Sequence, residues 1–138
     1  LERVHKQIKE MGIENTTAQA QDKGITISLE NIQFEAESAF LTEAELRKLR
    51  KIAEILKDFP DNDLLISGHT ALAGTASGRQ KLSEQRASAV ADYLAELGVK
   101  RHEQLFTKGF GAQVPIAPNT TEAGKARNRR VEITILDK

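Results

Sequence analysis

Few residues in this chain combine a chemically capable side chain with a position that demands it. Arg86 is the first. It lies four residues after Leu82 and four before Val90, so helical periodicity puts it on the apolar stripe of its own helix. A guanidinium is rarely buried unpaired, because desolvating its charge is costly. Helical geometry leaves two readings open. One is an internal salt bridge, or a stem that packs while the head reaches water. The other is a guanidinium at a pocket rim, placed to grip a carboxylate through two parallel hydrogen bonds. The second feature is the cluster Arg127, Arg129 and Arg130 around Asn128, at the entrance to an apparent strand. Consecutive strand residues face opposite ways, so one of Arg129 and Arg130 is expected to be structural and the other near a loop surface.

Other chemistries find no support. The chain has no Cys, which removes disulfides, thiolate metal sites and Cys nucleophiles. His5, His69 and His102 have no metal-ligand spacing, and no Ser stands in a G-x-S-x-G elbow. Gly109-Phe110-Gly111 is too short for a nucleotide-binding fingerprint and reads as turn glycines. Lys plus Arg equals Asp plus Glu at 20 each, and aromatics are limited to five Phe and one Tyr. A nucleic-acid surface needs a broad basic face with interleaved aromatics, so that partner is not expected. No nucleophile–base pair is visible, no cofactor is implied, and the expectation is a binding module rather than an enzyme.

The elements that must position these residues follow from periodicity. At 138 residues the chain is about one domain long, and its 39% apolar content suffices for a core without cross-links. Residues 1–23 read as the tail of a preceding helix or a linker: Leu1, Val4, Ile8 and Met11 keep helical spacing before a polar stretch. The domain proper is expected over 24–138. Ile25, Ile27 and Leu29 alternate with polar residues as a strand does. Thr42 and Glu45 form a capping-box pattern opening a helix that Pro60 ends. A strand through Leu64 and Ile66 runs into Gly68-His69-Thr70, and a small-residue loop over 71–78 leads to a helix closed by Gly98. Leu105–Lys108 reads as extended, Asn119 as the start of a short helix, and Val131–Leu136 as the last strand. The sum is an α+β sandwich, a βαβαβ-type two-layer domain with helices packed on one mixed sheet.

From about Gly24 to Ile135 these segments resemble the OmpA-like domain family shared by the OmpA, Pal and MotB proteins. The motifs that carry the resemblance are Ile66-Ser67-Gly68-His69-Thr70, Leu82-Ser83-Glu84-Gln85-Arg86-Ala87, Tyr93-Leu94, Gly109-Phe110-Gly111 and Asn128-Arg129-Arg130-Val131-Glu132. The resemblance implies non-covalent association with peptidoglycan through the zwitterionic diamino acid of its stem peptide. It assigns Arg86 to the ligand's carboxylate. It also implies contributions from Thr70, Ala71 and Leu72 through backbone amides and from Asn128 and Arg130 at the rim; Phe34 and Arg79 are expected to line the same pocket. The implied location is the periplasm, beside the outer membrane of a diderm bacterium. No apolar run reaches the roughly 20 residues that span a bilayer. The chain opens on Leu1 without a signal-like segment, so any membrane link is expected from a region preceding it.

One departure matters. The family pattern G-H-T-D reads Gly68-His69-Thr70-Ala71 here, so the acid that would meet the ligand's ammonium is missing, while Arg79 replaces a frequent Asn. Losing one partner of a buried charge pair costs about 2–5 kcal/mol. Three explanations compete: Glu35 or Glu37 supplies the acid, the wall carries a different diamino acid, or the site is degenerate and the scaffold now binds another envelope protein. The added cation also suits a ligand richer in carboxylate than in amine.

Overall fold

The computed structural model describes residues 1–35 and 38–138. Its elements run α1 (Glu2–Glu10), β1 (Thr16–Gln21), β2 (Gly24–Glu30), α2 (Glu43–Leu56), β3 (Leu64–His69), α3 (Ala76–Glu96), β4 (Leu105–Gly109), α4 (Glu122–Asn128) and β5 (Arg130–Leu136), with a 3₁₀ turn at His102–Gln104. The five strands form one mixed sheet in the order β1-β2-β5-β3-β4. Among the described residues β3 and β4 pair in parallel and the other strand pairings are antiparallel. The expected two-layer α+β architecture is what the chain adopts.

Register explains the core. Ile133 of the central strand β5 stands opposite both Ile27 and Ile66, and Ile135 stands opposite Ile25 and Leu64. These positions point to one face, where α2 brings Leu49, Ile52, Ile55 and Leu56, and α3 brings Ala87, Val90, Ala91 and Leu94. The opposite face is polar. Thr26 and Thr134 share a hydrogen bond of 2.8 Å there, and Ser67, His69 and Arg130 are buried alongside.

The structure departs from the sequence expectation in four places. Residues 1–23, read as the tail of a preceding helix or a linker, pack on the domain. Val4 and Ile8 of α1, Ile13 and Ala18 join the common core, and β1 pairs with β2 along its whole length. Thr16–Gln21 shows no apolar alternation because it is an edge strand whose single buried residue is an alanine. Thr42 is the N-cap of α2, but its side chain makes no capping bond; Glu45 is buried and pairs instead with Lys48 at 3.1 Å. Asn119 does not open α4. Thr121 does, accepting from the Gly124 N–H at 3.0 Å.

The buried face of α3 is also turned from the expected one. Ser83, Ala87, Val90, Ala91 and Leu94 face the sheet, which leaves Leu82 and Arg86 at the edge of the stripe. Close approach dictates this. A Cβ at Gly68 would sit 2.1 Å from the Ser83 carbonyl oxygen, and one at Gly109 would meet Ser83 Oγ at 2.6 Å. Two glycines on the strands and small residues on the helix let the backbones touch.

Candidate ligand-binding cleft

Arg86 sits where three segments converge. Its guanidinium carbon stacks 4.5 Å above the centre of the Phe34 ring. Its Nε donates to the Ser38 carbonyl at 3.0 Å. Phe34 is itself held by a bridge to Leu41, so the loop before α2 is pinned beside α3. Stacking fixes the guanidinium plane and the Nε bond fixes its rotation. The two Nη groups have no protein partner among the described residues. Burial, and secondly the charge of Arg129, push the Arg86 pKa below its ordinary value; a guanidinium nevertheless stays charged. Among the described residues Arg86 makes no internal salt bridge; its stem packs while the fork-shaped end has no partner.

Beside it opens a cleft of about 490 Å³ between the 70–75 loop and the first half of α3. Thr70, Ala71, Leu82 and Gln85 help to line it, and its cations are Arg79, Lys81, Arg86 and Arg129. Arg129 comes from the entrance to β5. Its neighbour Arg130 turns to the polar face, where it is 1% exposed and donates to Glu132 at 2.8 Å and to the Val114 carbonyl at 2.9 Å. The adjacent arginines thus part company, although Arg129 caps α4 and only Arg130 belongs to the strand. Arg79 closes the loop, donating from Nη1 to the carbonyls of Ala73 at 3.2 Å and Gly74 at 2.8 Å.

The other expected positions divide. The Thr70 hydroxyl is buried without a hydrogen-bond partner, whereas the Thr70 amide is taken by the Gly111 carbonyl at 2.8 Å. The Leu72 amide donates to Asn119 Oδ1 at 3.3 Å. Two of the three loop amides expected to meet a ligand are therefore already engaged. Asn128 lies outside the cleft. It is buried, accepts from the Ile116 and Ala117 amides, and donates to Asn119 Oδ1 at 2.9 Å. Through Asn119 it positions the Leu72 loop. Arg130 likewise sits beneath this layer rather than in the cleft. Glu35 is exposed, and its carbonyl accepts from the Ser38 amide and hydroxyl. Glu37 lies outside the described residues.

Sequence reasoning passed over Ser83, Lys81 and Gln85. Ser83 is wholly buried; it donates to the Gln80 carbonyl at 2.8 Å and accepts from the Gly111 amide at 2.9 Å, locking the cleft helix to the loop after β4. Its signal was a small polar residue one step from Leu82 on the helix. Among the described residues no cluster of three His, Asp or Glu could hold a metal, and no helix is long and apolar enough to cross a membrane.

Comparison with known proteins agrees with this architecture. A profile of the OmpA family matches residues 33–129, well over half the chain. The probable lipoprotein YiaD of Escherichia coli K12 is 40% identical over 105 residues, covering 76% of this chain and 48% of that protein. The peptidoglycan-binding protein ArfA of Mycobacterium tuberculosis is 41% identical over 104 residues, covering 75% of this chain and 32% of that protein. The chain thus spans less than half the length of these relatives. Among solved structures, the cell wall anchor of the T6SS from Pseudomonas aeruginosa superposes with a TM-score of 0.82 at 26% identity, covering 99% of this chain and 98% of the other. An outer membrane protein from Borrelia burgdorferi B31 is 38% identical with a TM-score of 0.74, covering 88% of this chain and 97% of the other. With the profile spanning both the Phe34 loop and the Arg86 helix, and with relatives this similar, the chain belongs to the OmpA family.

Proposed function

We propose that this domain is a non-catalytic cell-envelope module that associates with peptidoglycan, and that the larger protein containing it links the outer membrane to the wall from the periplasmic side. The observation that carries the reading is the posture of Arg86. Phe34 and Ser38 hold it so that its Nη pair remains available beside an open cleft. A planar fork in that state suits a carboxylate of the wall's stem peptide, which it can bind with two parallel hydrogen bonds. The open cleft supports ligand binding over a scaffold that has closed its site. The relatives point the same way: one is named a peptidoglycan-binding protein and another a cell wall anchor.

The test is co-sedimentation of the purified domain with insoluble peptidoglycan, comparing wild type with Arg86→Ala. Wild type should sediment, and Arg86→Ala should lose about 30-fold or more in affinity, the low end for removing one partner of a desolvated charge pair. Wild type remaining in solution would sink the proposal and leave a scaffold that contacts another envelope protein.

A further inference from the structure

The cleft's charge is lopsided in a way the peptidoglycan reading does not require. Arg79, Lys81, Arg86 and Arg129 contribute to its lining, and no described carboxylate does. Elsewhere the protein pairs its cations readily: Arg130 with Glu132, Arg127 with Glu30, Lys48 with Glu45. None of the four cleft cations has such a partner among the described residues. The hydroxyl of Thr70, a lining residue, is buried with no hydrogen-bond partner among the described residues. At position 71, the next residue along, a methyl group is all the side chain offers. Two guanidiniums, Arg86 and Arg129, line the same cleft, where an anion between them would be favoured by both.

We infer that this cleft takes a ligand end bearing two carboxylates, Arg86 binding one and Arg129 the other, and that it does not require the ligand's ammonium group. This rests on the peptidoglycan reading and names the part of the wall that is read: stem peptides whose carboxylates are free rather than amidated. End-on donation from Arg86 accounts for the first carboxylate, because its Nε is already spent on Ser38. Arg129 lines the same cleft from the entrance to β5.

The experiment is calorimetric titration with soluble muropeptides that end in the diamino acid, run alongside sedimentation with intact peptidoglycan. Amidating the terminal carboxylate should weaken binding about 30-fold or more, whereas acetylating the amine should change it less than about threefold. Arg129→Gln should weaken the free-acid peptide about tenfold while leaving the amidated peptide within about threefold. In Ala71→Asp, acetylation should begin to matter, because that variant places an acid in the cleft lining. A wild-type loss of tenfold or more on acetylation overturns the inference, since an acid must then be serving the amine, but leaves wall binding intact. Equal displacement of the peptide by inorganic phosphate also overturns it, making the site a general anion site. Sedimentation with the wall but no affinity for any soluble fragment overturns it as well. Failure of both assays removes the underlying reading.

Discussion

His69 shows how one side chain can serve the site without touching a ligand. Its ring stacks on Phe110, with centroids 5.1 Å apart and planes 4° from parallel. Neither nitrogen finds a hydrogen-bond partner among the described residues, and the side chain is 3% exposed. Desolvation, and then the neighbouring charge of Arg130, hold its pKa at about 4 against an ordinary 6.5, with Glu132 opposing. Between those values an unfolded chain binds a proton that the folded one refuses. Stability should therefore be fully present above about pH 6.5 and decline as the pH falls toward about 4, by on the order of 2–3 kcal/mol. Urea denaturation at pH 7.5 and pH 4.5 checks this, and His69→Phe should remove most of the difference while keeping the stack. Asn128 is a second such residue. Asn128→Ala strips four hydrogen bonds from a buried site and should cost about 2–4 kcal/mol. The damage should extend to wall binding, because the Leu72 loop depends on Asn119.

At the scale of elements, the site depends on how closely α3 lies on the sheet. Gly68 on β3 and Ser83 on α3 form the closest point, and Ser83 also ties down Gly111 in the loop after β4. Gly68→Ala has no room for its methyl group, so the helix must lift. A cost of about 1–3 kcal/mol is expected, and Arg86, stacked on Phe34 and only one turn from Ser83, should lose that posture. Nuclear magnetic resonance shifts of the Phe34 ring would report that movement directly. Ser83→Ala is milder in volume but leaves the buried Gly111 amide without an acceptor, so about 1–3 kcal/mol should appear in thermal or denaturant unfolding. Unchanged stability in that variant would show that the Gly111 contact is dispensable.

At the scale of the whole molecule, α1 and β1 extend the core rather than the site. Val4, Ile8, Ile13 and Ala18 are buried against it, Lys51 of α2 donates to the Met11 carbonyl at 3.0 Å, and Arg3 reaches Asp58 at 3.3 Å. None of these residues lines the cleft. Deleting residues 1–22 should therefore lower the melting temperature by more than about ten degrees, since each large apolar side chain contributes about 1.5–3 kcal/mol on burial. Affinity for peptidoglycan at low temperature should hardly change. A truncated protein that keeps its stability would show that the edge strand is ornamental.

Much of this was legible in the residues themselves. The alternation of Ile25, Ile27 and Leu29, and of Val131, Ile133 and Ile135, marks two strands because a half-buried strand can bury only every second side chain. Arg86 beside Leu82 and Val90 marks a charge near an apolar stripe, but helical geometry leaves its role open between packing and a pocket rim. What the sequence could not carry was anything set by contacts far apart in the chain. Thr16–Gln21 becomes a strand only because β2 offers an edge, and its own residues carry no apolar pattern. The rotation of α3 that brings Ser83 inward follows from Gly68 and Gly109 on two other elements. The gathering of Arg79, Lys81, Arg86 and Arg129 around one cleft depends on where β5 begins relative to α3. Periodicity is local and can be read along the chain, whereas close approach and the summing of charge are properties of space.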